Sequence, residues 1–289
     1  MTLVLDILIS GLSLGAVYSL FALGLALVYG TARVMNFAHG SIFTLGAYGA
    51  WVLSDGLLGL GLPTMLAILL PTMFAFGAGV EHLLIRPLRR RPEWQTATMM
   101  ATLGLAFILD NLMLVIFGPI SLGLSRMFEG TVTLGPVTVA SQSLATFVVA
   151  VAAVVALQIF LSRCPQGRAM RAVAQDPQGA AIVGIRSDRV FALTFGIACA
   201  LSGLAAVLLA PVQMISPLGG WALFLKAFVI VVFGGLGSTA GVLWGAMILG
   251  LVEAAVMVLI GAAWVMPVWF LILLGVLMVR PRGLMGKWG

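Results

Sequence analysis

Long apolar runs without a charged residue constrain this 289-residue chain more than any other feature. Such runs occupy residues 7–32, 56–80, 130–162, 190–225, 227–252 and 254–279. About 20 apolar residues suffice for one helix to cross a bilayer. Only 8% of all residues are charged, whereas a soluble domain has roughly 25%, so a water-exposed surface could not be covered. The sequence therefore predicts an integral membrane protein.

The apolar runs divide into about eight predicted transmembrane helices. We place them at about 7–29, 38–54, 62–83, 97–117, 142–162, 190–212, 240–260 and 264–279. A shorter apolar segment, 221–233, is predicted to be either a ninth span or a re-entrant arm. The predicted fold class is an all-α polytopic membrane protein, with residues 1–289 forming one transmembrane domain.

The positions of the basic residues predict the orientation of the chain. If 221–233 crosses the membrane, 13 of the 15 basic residues fall on one side, and Arg126 and Lys226 remain near the other. The 13 are Arg33, Arg86, Arg89, Arg90, Arg91, Arg163, Arg168, Arg171, Arg186, Arg189, Arg280, Arg282 and Lys287. Positively charged loops are retained in the cytoplasm. We therefore expect an outside N-terminus and a cytoplasmic C-terminus. Charges grouped in short loops, with no basic stripe, argue against a nucleic-acid partner.

Two glycine-containing segments interrupt the apolar sequence. One extends from Tyr29-Gly30 through Asn36, His39 and Gly40, and the other is Gly234-Gly235-Leu236-Gly237-Ser238. Irregular backbone at membrane depth survives where protein or a water-filled cavity satisfies it, and paired breaks in a transporter point to its pathway. An ordinary tight loop explains the second break equally well.

The longest polar stretch, 163–189, is predicted to contain two short helices. In the first, Ala169, Ala172 and Val173 fall on one face, with arginines mostly on the other. Asp176-Pro177 is a helix-start signal, because Asp caps and Pro occupies the first position. The second helix is predicted over 178–183 and ends at Gly184. Composition alone leaves two readings open, a docking surface for a partner protein and a contact with anionic lipid headgroups.

Few ionisable residues fall inside the predicted spans. Glu253 lies well within 240–260, Asp110 lies towards the outer end of 97–117, and His39 lies at the first break. Such residues usually face the bundle or a cavity. For Glu253 we expect a functional or structural polar contact inside the bundle, and for His39 a bond to a backbone carbonyl. We find no proton-relay chain of carboxylates, no nucleotide-binding loop and no metal or catalytic constellation, so we expect neither an enzyme nor a cofactor.

Four motifs together resemble one family. They are VYG at 28–30 with RVMNFAHG at 33–40, GRAMRAVAQD at 167–176 with RVFALTF at 189–195, KAF at 226–228 with FGGLGS at 233–238, and RPRGLMG at 280–286. In order and spacing they resemble the branched-chain amino acid ABC transporter permeases, specifically the subunit with the asparagine–histidine signature. The resemblance covers nearly the whole chain.

This resemblance implies a permease subunit of an ATP-driven importer in a bacterial or archaeal cytoplasmic membrane, working by alternating access. It implies a second homologous permease subunit, two cytoplasmic ATPases that bind the ATP, and an extracytoplasmic binding protein. It also implies that 168–184 is the loop that couples the permease to an ATPase. The coupling candidates are Arg168, Arg171, Gln175, Asp176, Pro177, Ala180 and Gly184, and the pathway or gate candidates are Asn36, His39, Gly234, Gly235, Gly237 and Glu253.

The outer loop 118–141 does not match the family pattern, so the substrate stays open. Branched-chain amino acids are the first choice, and urea, short amides and aromatic acids are the alternatives. An ion-coupled secondary transporter is a rival, although Glu253 and Asp110 are few carboxylates for ion coupling. For the break at 36–40 we expect either an inner gate at the contact with the second permease, or local capping by Asn36 and His39.

Overall fold

The computed structural model describes residues 2–125, 128, 130–134 and 137–285, which form a helical bundle. Its helices are α1 (Thr2–Ala32), α2 (His39–Trp51), α3 (Leu62–Val80), α4 (Arg86–Leu88), α5 (Trp94–Phe117), α6 (Ser141–Arg163), α7 (Pro165–Gln175), α8 (Pro177–Ile182), α9 (Ser187–Leu209), α10 (Gly219–Gly234), α11 (Thr239–Leu259) and α12 (Val265–Val279). Turns of π-helix at Val52–Gly56 and Glu81–Ile85 extend α2 and α3, and a 3₁₀ turn at Ala262–Trp264 precedes α12.

The predicted all-α membrane fold is confirmed. Within the described residues, seven helical segments are long and apolar enough to span a bilayer: Leu3–Ala32, Leu62–Leu88, Trp94–Phe117, Ser141–Arg163, Ser187–Leu209, Thr239–Leu259 and Ala262–Val279. The predicted second span, 38–54, is the short helix α2 with its π turn. The segment 221–233 lies within α10, an apolar helix of 16 residues.

The centre of the bundle is formed by α1 and α9, the two long helices that are most buried. Gly11 and Gly15 of α1 pack against Ala246 and Gly250 of α11, and a Cβ on Gly250 would lie 2.5 Å from Gly15 N. Small residues four apart let two helix backbones approach closely in a membrane. In contrast, less than a third of the apolar window of α5, α6 and α12 is buried, so these helices lie at the periphery of the bundle.

A small β-hairpin follows α5 in the region that matched no family pattern. Its strands β1 (Thr131–Leu134) and β2 (Val137–Ala140) pair antiparallel, with Thr131 opposite Ala140. Nearby, Leu122 forms a bridge with Ile215 in the connection between α9 and α10, and Ser125 N donates to the Asp55 carboxylate at 2.7 Å. These loops therefore share one end of the bundle, which we call the far end.

The basic residues gather at the opposite end, which we call the basic end. Here α1 finishes, and Arg33 Nη2 donates to Ala174 O of α7 at 3.3 Å. Arg86 and Arg89 form ion pairs with Asp188 at the start of α9. The basic residues thus cluster at one end of the bundle. Arg126, Gly286 and Lys287 lie outside the described residues.

Candidate functional site

Helix α7 is amphipathic and lies across the basic end. Gly167, Met170 and Val173 are buried against the bundle, whereas Arg168 and Arg171 are exposed. Gly167 is needed because a Cβ there would lie 2.6 Å from Leu161 Cα of α6. The helix therefore presents an arginine-bearing face outward while its apolar face anchors it.

Helix α8 begins at the predicted cap. The Asp176 carboxylate accepts a hydrogen bond from Gln178 N at 3.0 Å, and Pro177 is the first helical residue. Ala180 is buried, and Gly184 ends the turn with φ +85°, a conformation that favours glycine. Asp176 and Pro177 thus occupy the cap and the first helical position, and the capping prediction is confirmed.

The tip of α8 exposes two large apolar side chains. Ile182 is 87% exposed and Val183 is 75% exposed, and Gln175, Asp176 and Pro177 beside them are also exposed. Apolar side chains rimmed by polar residues mark a contact surface for another protein or a membrane. We call residues 168–184 the α7–α8 surface.

A cluster of ion pairs joins the start of α9 to the end of α3. Arg89 Nη2 lies 2.6 Å from the Glu81 carboxylate and 2.8 Å from that of Asp188, and Arg86 lies 3.0 Å from Asp188. The Arg89 guanidinium also stacks over the Phe191 ring at 4.2 Å. Burial lowers the pKa of the Arg89 guanidinium, and the Glu81 carboxylate counteracts that shift. Because α8 leads directly into α9, this cluster links the α7–α8 surface to the membrane helices.

The first break begins later than the sequence indicates, since α1 continues through Tyr29 and Gly30 to Ala32. Arg33 then adopts φ +55°, and the chain runs without helix to α2. Asn36 Oδ1 accepts from Ala38 N at 3.1 Å, and His39 Nε2 lies 2.9 Å from Phe21 O. These bonds match the local alternative, in which His39 satisfies a backbone carbonyl. Both side chains are enclosed by this chain's own helices, and a gate role for them stays a prediction.

The second break is a tight turn between α10 and α11. Gly235 and Gly237 have φ of +108° and +87°, and Ser238 Oγ accepts from Gly241 N at 3.1 Å. Gly234 lies so close to Gly241 that a Cβ would be 2.5 Å from its carbonyl carbon. The glycines are therefore required by the turn itself, and their part in a pathway stays a prediction.

The C-terminal tail packs onto this turn. Leu284 N donates to Phe233 O at 2.8 Å, and Met285 N donates to Gly234 O at 3.0 Å. The tail amides thereby donate to carbonyls in the last turn of α10, which have no N–H partner inside the helix. Two of the four sequence motifs, 233–238 and 280–285, thus form one structural unit.

Glu253 lies inside the bundle as expected, in a network that the sequence did not reveal. Lys226 Nζ donates to Glu253 Oε1 at 2.6 Å and to Tyr18 Oη at 2.8 Å, and Tyr18 donates to the same carboxylate oxygen at 2.9 Å. The lysine Nζ also lies 5.6 Å from the ring centre of the buried Trp269. We call Tyr18, Lys226, Glu253 and Trp269 the buried charge network.

The position of Lys226 corrects a prediction. From the sequence this residue was grouped with the charges near the outer side, yet it lies midway along α10 and faces Glu253 of α11. An intramembrane charge is costly unless a partner compensates it. The pairing explains how an apolar helix of this kind retains a lysine.

Asp110 of α5 is also paired. Its carboxylate accepts a hydrogen bond from Trp221 Nε1 of α10 at 2.7 Å and is 3% exposed. Within the described part of the chain, no three His, Cys, Asp or Glu side chains are grouped closely enough to hold a metal ion. Asp110 and Glu253 are therefore each bonded to a residue of α10.

Comparison with known proteins identifies the family of this chain. The family model described as "Branched-chain amino acid transport system / permease component" matches residues 7–280. The chain belongs to this family. No solved structure matches this permease.

Curated relatives match the permease over nearly its whole length. LivH, the high-affinity branched-chain amino acid transport system permease protein of Escherichia coli K12, is 32% identical, covering 96% of this chain and 94% of its own. BraD of Pseudomonas aeruginosa, named for the same kind of system, is 32% identical over 97% of this chain and 95% of its own. A probable LivH of the archaeon Methanocaldococcus jannaschii is 29% identical, with 92% and 88% covered. The predicted family is confirmed.

Proposed function

We propose that this permease is a membrane subunit of an ATP-driven ABC importer that moves branched-chain amino acids by alternating access. The names of its relatives support this substrate class. In the proposed complex a second homologous permease completes the pathway, two ATPases bind ATP, and an extracytoplasmic binding protein delivers the amino acid. The basic end faces the cytoplasm of a bacterium or archaeon, in accord with the retention of positive loops.

The exposed tip of the α7–α8 surface is the observation that supports ATP coupling best. Ile182 and Val183 project from an end of the bundle where arginines predominate. A soluble partner with an apolar groove and acidic rim would bury both side chains and face Arg168 and Arg171. An ATPase subunit supplies such a partner in this proposal.

Two contacts offer routes by which movement of the tip reaches the membrane helices. Arg33 joins α7 to the end of α1, and Asp188 joins the segment after α8 to the end of α3 through Arg86 and Arg89. Packed elements tend to shift as units, because a close-packed interior transmits displacement. ATPase closure would therefore move α1, α3 and α9 together.

The proposal is tested by placing a charge in the apolar tip. We expect Ile182→Asp to insert normally but to lose copurification with the ATPases and ATP-dependent uptake. Leu57→Asp is the matched control, because Leu57 is 79% exposed near the far end and should leave assembly unchanged. If Ile182→Asp assembles and transports like the parent, the tip is not the ATPase contact.

The contacts of the acidic residues also bear on the ion-coupled rival. A proton- or cation-coupled transporter needs carboxylates that can change their occupancy during transport. Glu253 is bonded to Lys226 and Tyr18, and Asp110 is bonded to Trp221. We therefore favour drive by ATP over drive by an ion gradient.

A further inference from the structure

A cavity of about 80 Å³ lies between α2, α10 and the connection from α9, towards the far end. Its polar lining includes Thr44, Gln213, Ser216 and Lys226, and the backbone of Gly220 at the start of α10. Lys226 is the one charged residue among the lining residues. The cavity thus combines a positive charge with hydrogen-bonding groups, beneath the end of the bundle at which a binding protein would deliver substrate.

The ammonium group of Lys226 has a donor to spare. A lysine has three N–H donors, and the described residues supply two acceptors, Tyr18 Oη and Glu253 Oε1. The same side chain lines the cavity. The third donor is therefore available to an acceptor that enters from the cavity, without breaking the ion pair with Glu253.

The remaining walls are apolar, and they include Phe43, Ala47, Leu209, Ile215 and Leu223. A ligand that matches both parts has an anionic group for Lys226 and an aliphatic portion for these side chains. An amino acid carboxylate with a branched aliphatic side chain has this composition. Urea and short amides carry no negative charge, so Lys226 would not bind them more strongly than it binds water.

The size of the cavity indicates that only part of such a ligand fits in this conformation. Pockets that enclose small molecules have volumes of roughly 300 Å³ or more, whereas this cavity has about 80 Å³. It is nevertheless larger than the space needed for one water, so it accepts a carboxylate group. Separation of α2 from α10 would admit the rest of the amino acid.

We propose that this cavity is a substrate station of the pathway, where Lys226 binds the carboxylate of the transported amino acid while Glu253 and Tyr18 hold the lysine in place. The inference rests on the proposed function, because it requires a ligand that passes through this chain. Beyond that function, the inference states that the cavity selects ligands with a carboxylate and an apolar side chain. Lys226 is the residue that recognises the carboxylate.

The alternative is that the pair only fastens α10 to α11. Removing one member of a buried ion pair leaves an uncompensated charge, whereas removing both can be neutral for stability. We therefore compare Glu253→Gln, which retains Lys226 beside Tyr18, with the double variant Lys226→Met/Glu253→Gln, which has no charge at the site. The two variants share the loss of the ion pair and differ only at residue 226.

The assay is uptake of radiolabelled leucine by proteoliposomes that contain the assembled transporter, with binding protein in excess. ATP hydrolysis and the amount of assembled complex are measured in the same preparations. We expect Glu253→Gln to lower uptake, because Lys226 loses the carboxylate that positions it. We expect the double variant to fall about tenfold or more below Glu253→Gln per assembled complex, as for the loss of one charge-assisted hydrogen bond. Equal uptake by the two variants, high or low, would overturn the assignment of Lys226.

Two further probes separate this inference from the proposed function. If the unmodified transporter takes up phenylalanine rather than leucine, the proposed substrate is wrong, and the two variants are compared with phenylalanine. If it takes up radiolabelled urea and no carboxylate-bearing probe, the carboxylate station is overturned. Absence of any ATP-dependent uptake by an assembled complex with active ATPases refutes the proposed function instead.

Discussion

The crossing of α2 and α10 allows a sharp test of the packing, because it depends on two glycines. A Cβ on Gly220 would overlap Gly40 O, and it would lie 2.5 Å from Gly40 C and 2.6 Å from Thr44 Oγ1. The obstructing atoms are mainly backbone, which cannot rotate aside as a flexible side chain can. Gly220→Ala therefore forces the two helices apart, at the cavity that we assign to substrate.

The expected cost follows from overpacking, which typically destabilises a close-packed interior by about 1–3 kcal/mol. Replacing glycine by alanine can stabilise a helix interior by up to about 1 kcal/mol. Gly220 is the second residue of α10, where this stabilisation is smaller. Gly104→Ala in α5 is the matched control, since no atom lies within 4 Å of its added Cβ. We expect this control to melt at or above the parent temperature.

The buried thiol of Cys199 reports unfolding, because it becomes reactive to a thiol-specific dye only when the bundle opens. The measurement is a thermal melt of detergent-purified protein in a Cys164→Ser background, since Cys164 is partly exposed. Each kcal/mol lost corresponds to a decrease in Tm of about 2–4 °C in a chain of this size. A Gly220→Ala variant that melts with the parent would refute the close approach of α2 and α10.

Three further predictions concern coupling, topology and the first break. Asp176→Lys should lose about 1 kcal/mol of cap energy and uncouple ATP hydrolysis from uptake, whereas Asp176→Asn, which retains the cap, should transport normally. Single cysteines at Ser125 and Gln178 should label from opposite faces of intact cells, and labelling of both by a membrane-impermeant reagent would contradict the orientation. Asn36→Ala should lower the protein level with unchanged transport per molecule if Asn36 only bonds Ala38 N, whereas raised basal ATP hydrolysis at normal protein level would establish a gate.

Helices could be predicted where the information is local. Long apolar segments predicted the seven long spans, and Asp176-Pro177 predicted the start of α8 within one residue. The second predicted span proved to be a short helix with a π turn, because composition does not show where a helix changes its hydrogen-bond pattern. The pairing of β1 with β2 was missed, since it is weakly encoded in strands of four residues.

The buried charge network could not be predicted in detail because its members are far apart in sequence. Tyr18 and Glu253 are 235 residues apart, and Lys226 and Glu253 are 27 residues apart on neighbouring helices. The sequence analysis counted Lys226, which lies in the short apolar segment 221–233, among the charges near the outer side. The usable signal was the isolation of one basic and one acidic residue in adjacent apolar segments, since such charges need each other in a membrane.

The most direct test of the account is leucine accumulation by proteoliposomes that contain this permease assembled with a second permease, two ATPases and a binding protein. ATP is supplied on the side of the α7–α8 surface, and the binding protein on the side of the far end. We predict accumulation that requires ATP hydrolysis and disappears with Ile182→Asp. Leucine accumulation that proceeds without the ATPases, driven by a proton or sodium gradient, would contradict the account.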